Sequence, residues 1–143
     1  MTGAAGPRGL VVAAPRSGAG KTTIALGLMR ALRRRGLAVQ PFKCGPDYID
    51  PAFHAVAAGR PSYNLDTWAM AAATLSELVA RHGADADIAL VEGVMGLFDG
   101  VAQPGQTARG ATADLAALFG WPVVLVLDVG GQTETAAAVA LGC

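Results

Sequence analysis

Charge is scarce in this chain. Asp, Glu, Lys and Arg make up 15% of its 143 residues, and 11 basic side chains balance 11 acidic ones. A net charge of zero lacks the basic excess that nucleic-acid and anionic-membrane binders carry, so neither partner is expected. Cysteine is almost absent, and Cys44 and Cys143 alone make no disulfide framework. No apolar run approaches the ~18 residues needed to cross a bilayer. Met1 to Arg8 has no apolar stretch of the signal-peptide kind, so residues 1–8 are expected to be a disordered tail. His54 and His82 lack metal-ligand spacing and Cys44 has no base nearby in sequence, so neither zinc nor a Cys–His nucleophile is expected. What is present is a hydrophobic fraction of 52%, in a length that suits one domain with a real core. A soluble, cytoplasmic globular protein is the expectation.

Short apolar runs alternate with helical segments along the chain. Gly9 to Ala14, Leu37 to Lys43, Asp87 to Glu92 and Pro122 to Leu127 read as strands, apolar and continuous as parallel strands buried on both faces should be. Helices are predicted over Thr22–Arg35 (with Ile24, Leu28 and Leu32 on one face), Pro51–Gly59, Ala71–His82, Ala111–Phe119 and Thr133–Leu141. Such alternation predicts an α/β fold, a three-layer doubly wound and mostly parallel sheet over residues 9–143. Sheets of this kind usually have more strands, so the domain is expected to be incomplete at its C-terminus. Ligands bind beyond the carboxyl ends of such strands, and the unusual residues of this sequence cluster there.

After the first strand comes Pro15-Arg16-Ser17-Gly18-Ala19-Gly20-Lys21-Thr22-Thr23, which matches G-x-x-x-x-G-K-[ST] except for Pro15 at the first glycine. In a P-loop the backbone N–H groups of Ser17 to Thr23 curl around a phosphate and the helix N-terminus adds its dipole. Lys21 would reach the β- and γ-phosphates, and Thr22 would offer a hydroxyl to Mg²⁺. The chain has only two lysines, and the second, Lys43, directly follows strand two in Lys43-Cys44-Gly45-Pro46-Asp47-Tyr48-Ile49-Asp50. Asp47 and Asp50 are hard oxygen ligands of the kind Mg²⁺ takes beside phosphate and water. Asp50 equally fits the N-cap of a helix beginning at Pro51. Glu92, ending strand three, stands where a P-loop protein keeps its metal-associated carboxylate. The loop Gly93 to Gly110 follows; Asp99 would face substrate, whereas Met95, Leu97 and Phe98 read as its packed inner face, and Trp68 and Trp121 as core or interface aromatics. Asp128 lines the crevice or caps the next helix. Asn64-Leu65-Asp66 reads as a further polar turn on the ligand side.

Together the Pro15–Thr23 loop, Phe42 to Pro51, Asn64 to Asp66 and Glu92 to Gly100 resemble the cobyrinate/hydrogenobyrinate a,c-diamide synthases of cobalamin biosynthesis. Their ATP domain is similar to dethiobiotin synthetase and, more remotely, to Gly-Lys-Thr ATPases that partition DNA. The resemblance implies ATP and Mg²⁺ as cofactors and a tetrapyrrole polycarboxylate as substrate, amidated at its a and c side chains through an acyl phosphate. It implies nucleotide or metal roles for Lys21, Thr22, Asp47 and Glu92, neutralisation of the transferring phosphate by Lys43, and substrate contacts for Tyr48, Ile49, Asp50, Asn64, Asp66 and Asp99. The glutaminase domain that supplies ammonia in that family has no match here, and a homodimer stays open. Another carboxylate–amine ligase of the same fold is the nearest alternative: cobyric acid synthase, nickel-sirohydrochlorin diamide synthase or dethiobiotin synthetase. A partitioning-type regulatory ATPase is the more distant one.

Overall fold

The computed structural model describes residues 7–143. Most of the expected tail, its first six residues, lies outside the described residues. Five strands form one sheet in the order β3-β2-β4-β1-β5: β1 (Gly9–Ala13), β2 (Val39–Cys44), β3 (Tyr63–Leu65), β4 (Ile88–Glu92) and β5 (Val123–Leu125). Every pairing is parallel. The helices are α1 (Lys21–Arg34), α2 (Asp50–Ala58), α3 (Ala72–Gly83), α4 (Thr112–Phe119) and α5 (Thr135–Gly142). None of the described helices is long and apolar enough to cross a membrane.

Strand side chains alternate between two apolar layers, as period-two geometry requires. On one face Val12 and Leu90 pack with Ala25 and Met29 of α1 and Ala57 of α2. On the other, Val11, Phe42 and Val91 pack with Leu75 and Val79 of α3 and Leu115 of α4. This is the three-layer doubly wound architecture expected from the alternation. Of the face expected on α1, Leu28 and Leu32 pack against this core beside the fully buried Ala25 and Met29, whereas Ile24 is 42% exposed.

β3 corrects the reading of Asn64-Leu65-Asp66 as a turn. Phe42↔Tyr63, Lys43↔Asn64 and Cys44↔Leu65 pair in register. A three-residue edge strand with Asn at its centre carries no apolar run to announce it. Its shortness also explains how β2 holds a proline: the β3 ladder begins at Phe42, so at Pro41 the strand has only β4 as a neighbour.

Cys44 is buried, and burial pushes its thiol up to about 11. At that value roughly one molecule in a thousand is thiolate at pH 8. Iodoacetamide at pH 8 should therefore modify exposed Cys143 and spare Cys44 in the native protein, as read by peptide mass mapping. Equal labelling of both would contradict this packing.

Candidate active site

The loops leaving the carboxyl ends of the strands build the site. After β1, Gly18 and Gly20 take left-handed φ angles of 75° and 93°, which curls the loop back on itself. No side chain caps α1, so the N–H groups of its first turn stay available to an anion. The resulting cradle, about 400 Å³, is lined by Ser17, Gly18, Lys21, Thr22, Lys43 and Glu92, among others. Lys21 is nearly buried and donates to the Arg16 carbonyl at 3.3 Å. Burial first, and the neighbouring Lys43 cation second, lower its pKa.

Sheet register brings the second lysine to the carboxylate. Lys43↔Glu92 are direct neighbours across β2 and β4, and Glu92↔Val12 across β4 and β1. All three therefore project to the face covered by α1 and α2. Lys43 Nζ donates to Asp50 Oδ2 at 2.8 Å, to the Gly93 carbonyl at 3.2 Å and to Glu92 Oε1 at 3.3 Å. Glu92, 1% exposed, also accepts from the Thr22 hydroxyl at 2.5 Å and meets His54 Nε2 at 2.6 Å, while His54 Nδ1 lies 3.2 Å from Ser62 Oγ. Burial opposes the Glu92 charge, but hydrogen bonds from His54 and Thr22 and the Lys43 cation outweigh it and hold the pKa below the usual range. Burial likewise opposes the Lys43 charge; the Asp50 hydrogen bond and the Glu92 carboxylate prevail and raise its pKa.

Could these residues hold Mg²⁺? The Thr22 hydroxyl donates a hydrogen bond to Glu92, so its oxygen keeps its lone pairs, and both side chains line the cradle. Among the described residues no three His, Cys, Asp or Glu side chains converge as a cage. A hydroxyl and one or two carboxylates, completed by phosphate oxygens and water, is the donor set Mg²⁺ accepts. The residues fit the ion.

Residues 10–141 match the CobQ/CobB/MinD/ParA nucleotide binding domain. The chain belongs to that family. As a CobQ/CobB/MinD/ParA domain it is 65% identical, over 137 residues, to a protein named hydrogenobyrinate a,c-diamide synthase from Rhodobacter capsulatus, covering 96% of this chain and 31% of that protein. It is 49% identical, over 133 residues, to a cobyrinate a,c-diamide synthase from Picrophilus torridus, covering 93% of this chain and 30% of that one. The chain thus spans about three tenths of these curated relatives. Among solved structures, the signal recognition particle receptor FtsY from Elizabethkingia anophelis superposes with a TM-score of 0.64 at 16% identity, over 97% of this chain and 47% of that one. That likeness is one of fold.

Within this CobQ/CobB/MinD/ParA domain the two aspartates of the β2 loop sit differently from the reading that made Asp50 a helix cap. Asp47 Oδ1 accepts the N–H groups of Ile49 (2.8 Å) and Asp50 (3.0 Å), so Asp47 closes the turn into α2. Asp50 turns inward to Lys43. Burial opposes the Asp47 charge, but those N–H bonds and the Lys43 cation together outweigh it and hold its carboxyl below the usual range; its Oδ2 is 3.9 Å from Lys43 Nζ. Asn64 donates to the Asp47 carbonyl at 2.7 Å, and its Oδ1 is buried without a partner among the described residues. Asp66 accepts from the Trp68 and Ala69 N–H groups, and Asp99 from that of Gly96. Asp128 does not cap α5, which starts after Glu134; it pairs with Arg16 of the P-loop at 2.8 Å.

Tyr48 and Ile49 are exposed. Met95 (53%) and Phe98 (61%) are exposed too, against the packed inner face expected of them; only Leu97 is buried. Met95 is also the one non-glycine described residue with positive φ, 47°. Trp68 is 43% exposed and is not a core residue. His54 was missed altogether. Its signal lay in spacing from Asp50: i and i+4 on a helix share a face, and that face looks at Lys43 and Glu92.

Proposed function

We propose that this domain is the ATP-using part of a hydrogenobyrinate a,c-diamide synthase acting in cobalamin biosynthesis, with residues 9–143 as an amidoligase domain of a longer protein. The observation that carries the reading is a junction. The phosphate cradle and a second, largely apolar cavity both reach the Val94–Met95 turn, so a nucleotide on one side meets an organic acid on the other. The names of the relatives supply the acid.

A carboxylate is a poor electrophile, and the cradle answers that problem. A substrate carboxylate oxygen attacks the γ-phosphorus of ATP; the bond from phosphorus to the β,γ-bridging oxygen breaks, and ADP leaves. Ammonia then adds to the acyl phosphate carbon, inorganic phosphate departs, and a proton is released. Such transfer needs positioning and charge neutralisation rather than a protein nucleophile. Lys21 and the N–H groups of Ser17 to Thr23 bind the phosphates. Lys43, fixed by three acceptors, faces the transferring group as a point charge. Thr22, Asp47 and Glu92 would hold Mg²⁺, which would supply further charge neutralisation at the phosphates. Asp99, Tyr48 and Ile49 contact the acid, and the Gly93–Gly110 loop keeps water from the acyl phosphate. Ammonia comes from a glutamine-hydrolysing part of the longer, cytoplasmic protein.

ADP release by the full-length protein from Mg-ATP with free ammonium tests this, in separate reactions with hydrogenobyrinate, cobyrinate, nickel-sirohydrochlorin, diaminopelargonate or no acid. Stimulation by hydrogenobyrinate is expected. Stimulation by another acid redirects the reading to another ligase, and release indifferent to every acid supports a regulatory ATPase instead.

A further inference from the structure

The second cavity, about 340 Å³, has Pro46, Val94, Met95 and Val101 as its apolar lining, and Trp68 and Arg109 line it as well. Its frame is stiff. The Trp68 carbonyl accepts the Gln106 N–H at 2.7 Å, the Thr67 carbonyl accepts Thr107 and Ala108, and Thr67 Oγ1 accepts Gly110. Gly105 lies so close to Trp68 that a β-carbon there would come within 2.1 Å of the Trp68 carbonyl oxygen. The loops after β3 and β4 are thus stitched into one wall, and Trp68 and Arg109 from that wall both line the cavity.

Charge in the cavity is unequally committed. Asp66 is nearly buried and spends Oδ1 on two backbone N–H groups. Asp99 is bound to the Gly96 N–H, on the Pro15 side of the cavity. Arg109 uses its backbone N–H on Asp114 and its carbonyl on Val101, but among the described residues its guanidinium has no hydrogen bond or ion pair. An exposed arginine without a side-chain partner among the described residues and a part-exposed tryptophan, both lining one largely apolar cavity, can recognise a flat, apolar ring that bears a carboxylate.

We infer that this cavity holds one ring edge of the polycarboxylate substrate, with Arg109 pairing a carboxylate arm that is not being amidated and Trp68 lying against the ring. The inference rests on the ligase reading above and deepens it. At 340 Å³ the cavity takes a pyrrole-derived ring and its arm, not a whole macrocycle; the remainder lies over exposed Met95 and Phe98. Anchoring a spectator carboxylate at the Trp68 side carries the reacting one across Met95 toward the γ-phosphate. Arg109 is therefore a specificity-determining residue.

The test uses the full-length protein with Mg-ATP, ammonium and hydrogenobyrinate, and with hydrogenobyrinate methyl-esterified everywhere except the a and c arms. Arg109→Ala should raise KM for the free acid by about 30-fold, the range of a charge-assisted hydrogen bond, with KM for ATP unchanged. Arg109→Lys should fall between. With the ester, wild type and Arg109→Ala should show the same weak KM, since the paired group is gone. If wild type amidates the acid and Arg109→Ala stays within threefold of its KM, the inference is overturned and the ligase reading stands. A penalty equally large on the ester also overturns it, because the arginine then serves only its loop. A wild-type protein that amidates no tetrapyrrole acid overturns both.

Discussion

Replacing Glu92 with Gln should reduce ADP formation about 10³-fold, in the range seen when a preorganised charge partner is lost from a transfer site, while the fold survives. The geometry explains the separation. An amide oxygen still accepts from Thr22 and Lys43, and the amide nitrogen can donate to His54 Nε2 if the imidazole proton sits on Nδ1 toward Ser62. Shape and hydrogen bonds persist, so only the negative charge is removed. The stability of the variant should also depend less on pH in the acid range than that of wild type. Glu92 has a folded pKa below its unfolded value of about 4.3, so its contribution is present above that value and is lost as the pH falls through the folded one. With Gln, that part of the acid limb is absent, and a plot of melting temperature against pH should be flatter below pH 5. Turnover within threefold of wild type would remove Glu92 from the metal role.

How much of this was legible beforehand depends on whether the signal is local. Gly18-Ala19-Gly20-Lys21-Thr22 between a strand and a helix announces its own geometry, and Lys43 and Glu92, each at or beside a strand end, were legible as site residues because parallel α/β sheets gather such ends. Their pairing in register was not legible, since it depends on β2 and β4 being neighbours, a fact of topology. The same limit hid His54, which sits 38 residues from Glu92 in sequence and 2.6 Å from it in space. The exchange of roles between Asp47 and Asp50 has a different origin. Capping preference rates Asp before Pro highly, but here the turn into α2 is closed three residues earlier, which frees Asp50 for a stronger, charged partner. Met95 and Phe98 read as the packed inner face of their loop and Trp68 as a core or interface aromatic; all three are exposed on loops, because apolar character alone does not tell which way a loop turns its side chains.

Lys43→Met should have the largest effect on stability. Methionine keeps the apolar stem and removes the cation, which leaves the Asp50 and Glu92 carboxylates without their shared counter-charge in a site where Lys43 and Glu92 are almost wholly buried. Removing one partner of a buried pair costs about 3–5 kcal/mol, a large part of the ~5–15 kcal/mol by which a domain is stable. Asp50, a fifth exposed, and Glu92, still held by Thr22 and His54, place the expected loss toward the lower end. Activity should fall about 10³-fold or more, because in the proposed mechanism Lys43 neutralises the transferring phosphoryl group. The double variant Lys43→Met/Glu92→Gln separates the two effects. Deleting the orphaned charge as well should restore on the order of 1–3 kcal/mol relative to Lys43→Met alone, the usual coupling of groups in contact, yet restore no turnover. Chemical denaturation of the four proteins gives the coupling, and ADP release gives the activity. Strictly additive stabilities would mean that the two side chains do not share a charge balance. Recovered turnover in the double variant would mean that Lys43 serves the fold and not the phosphoryl group.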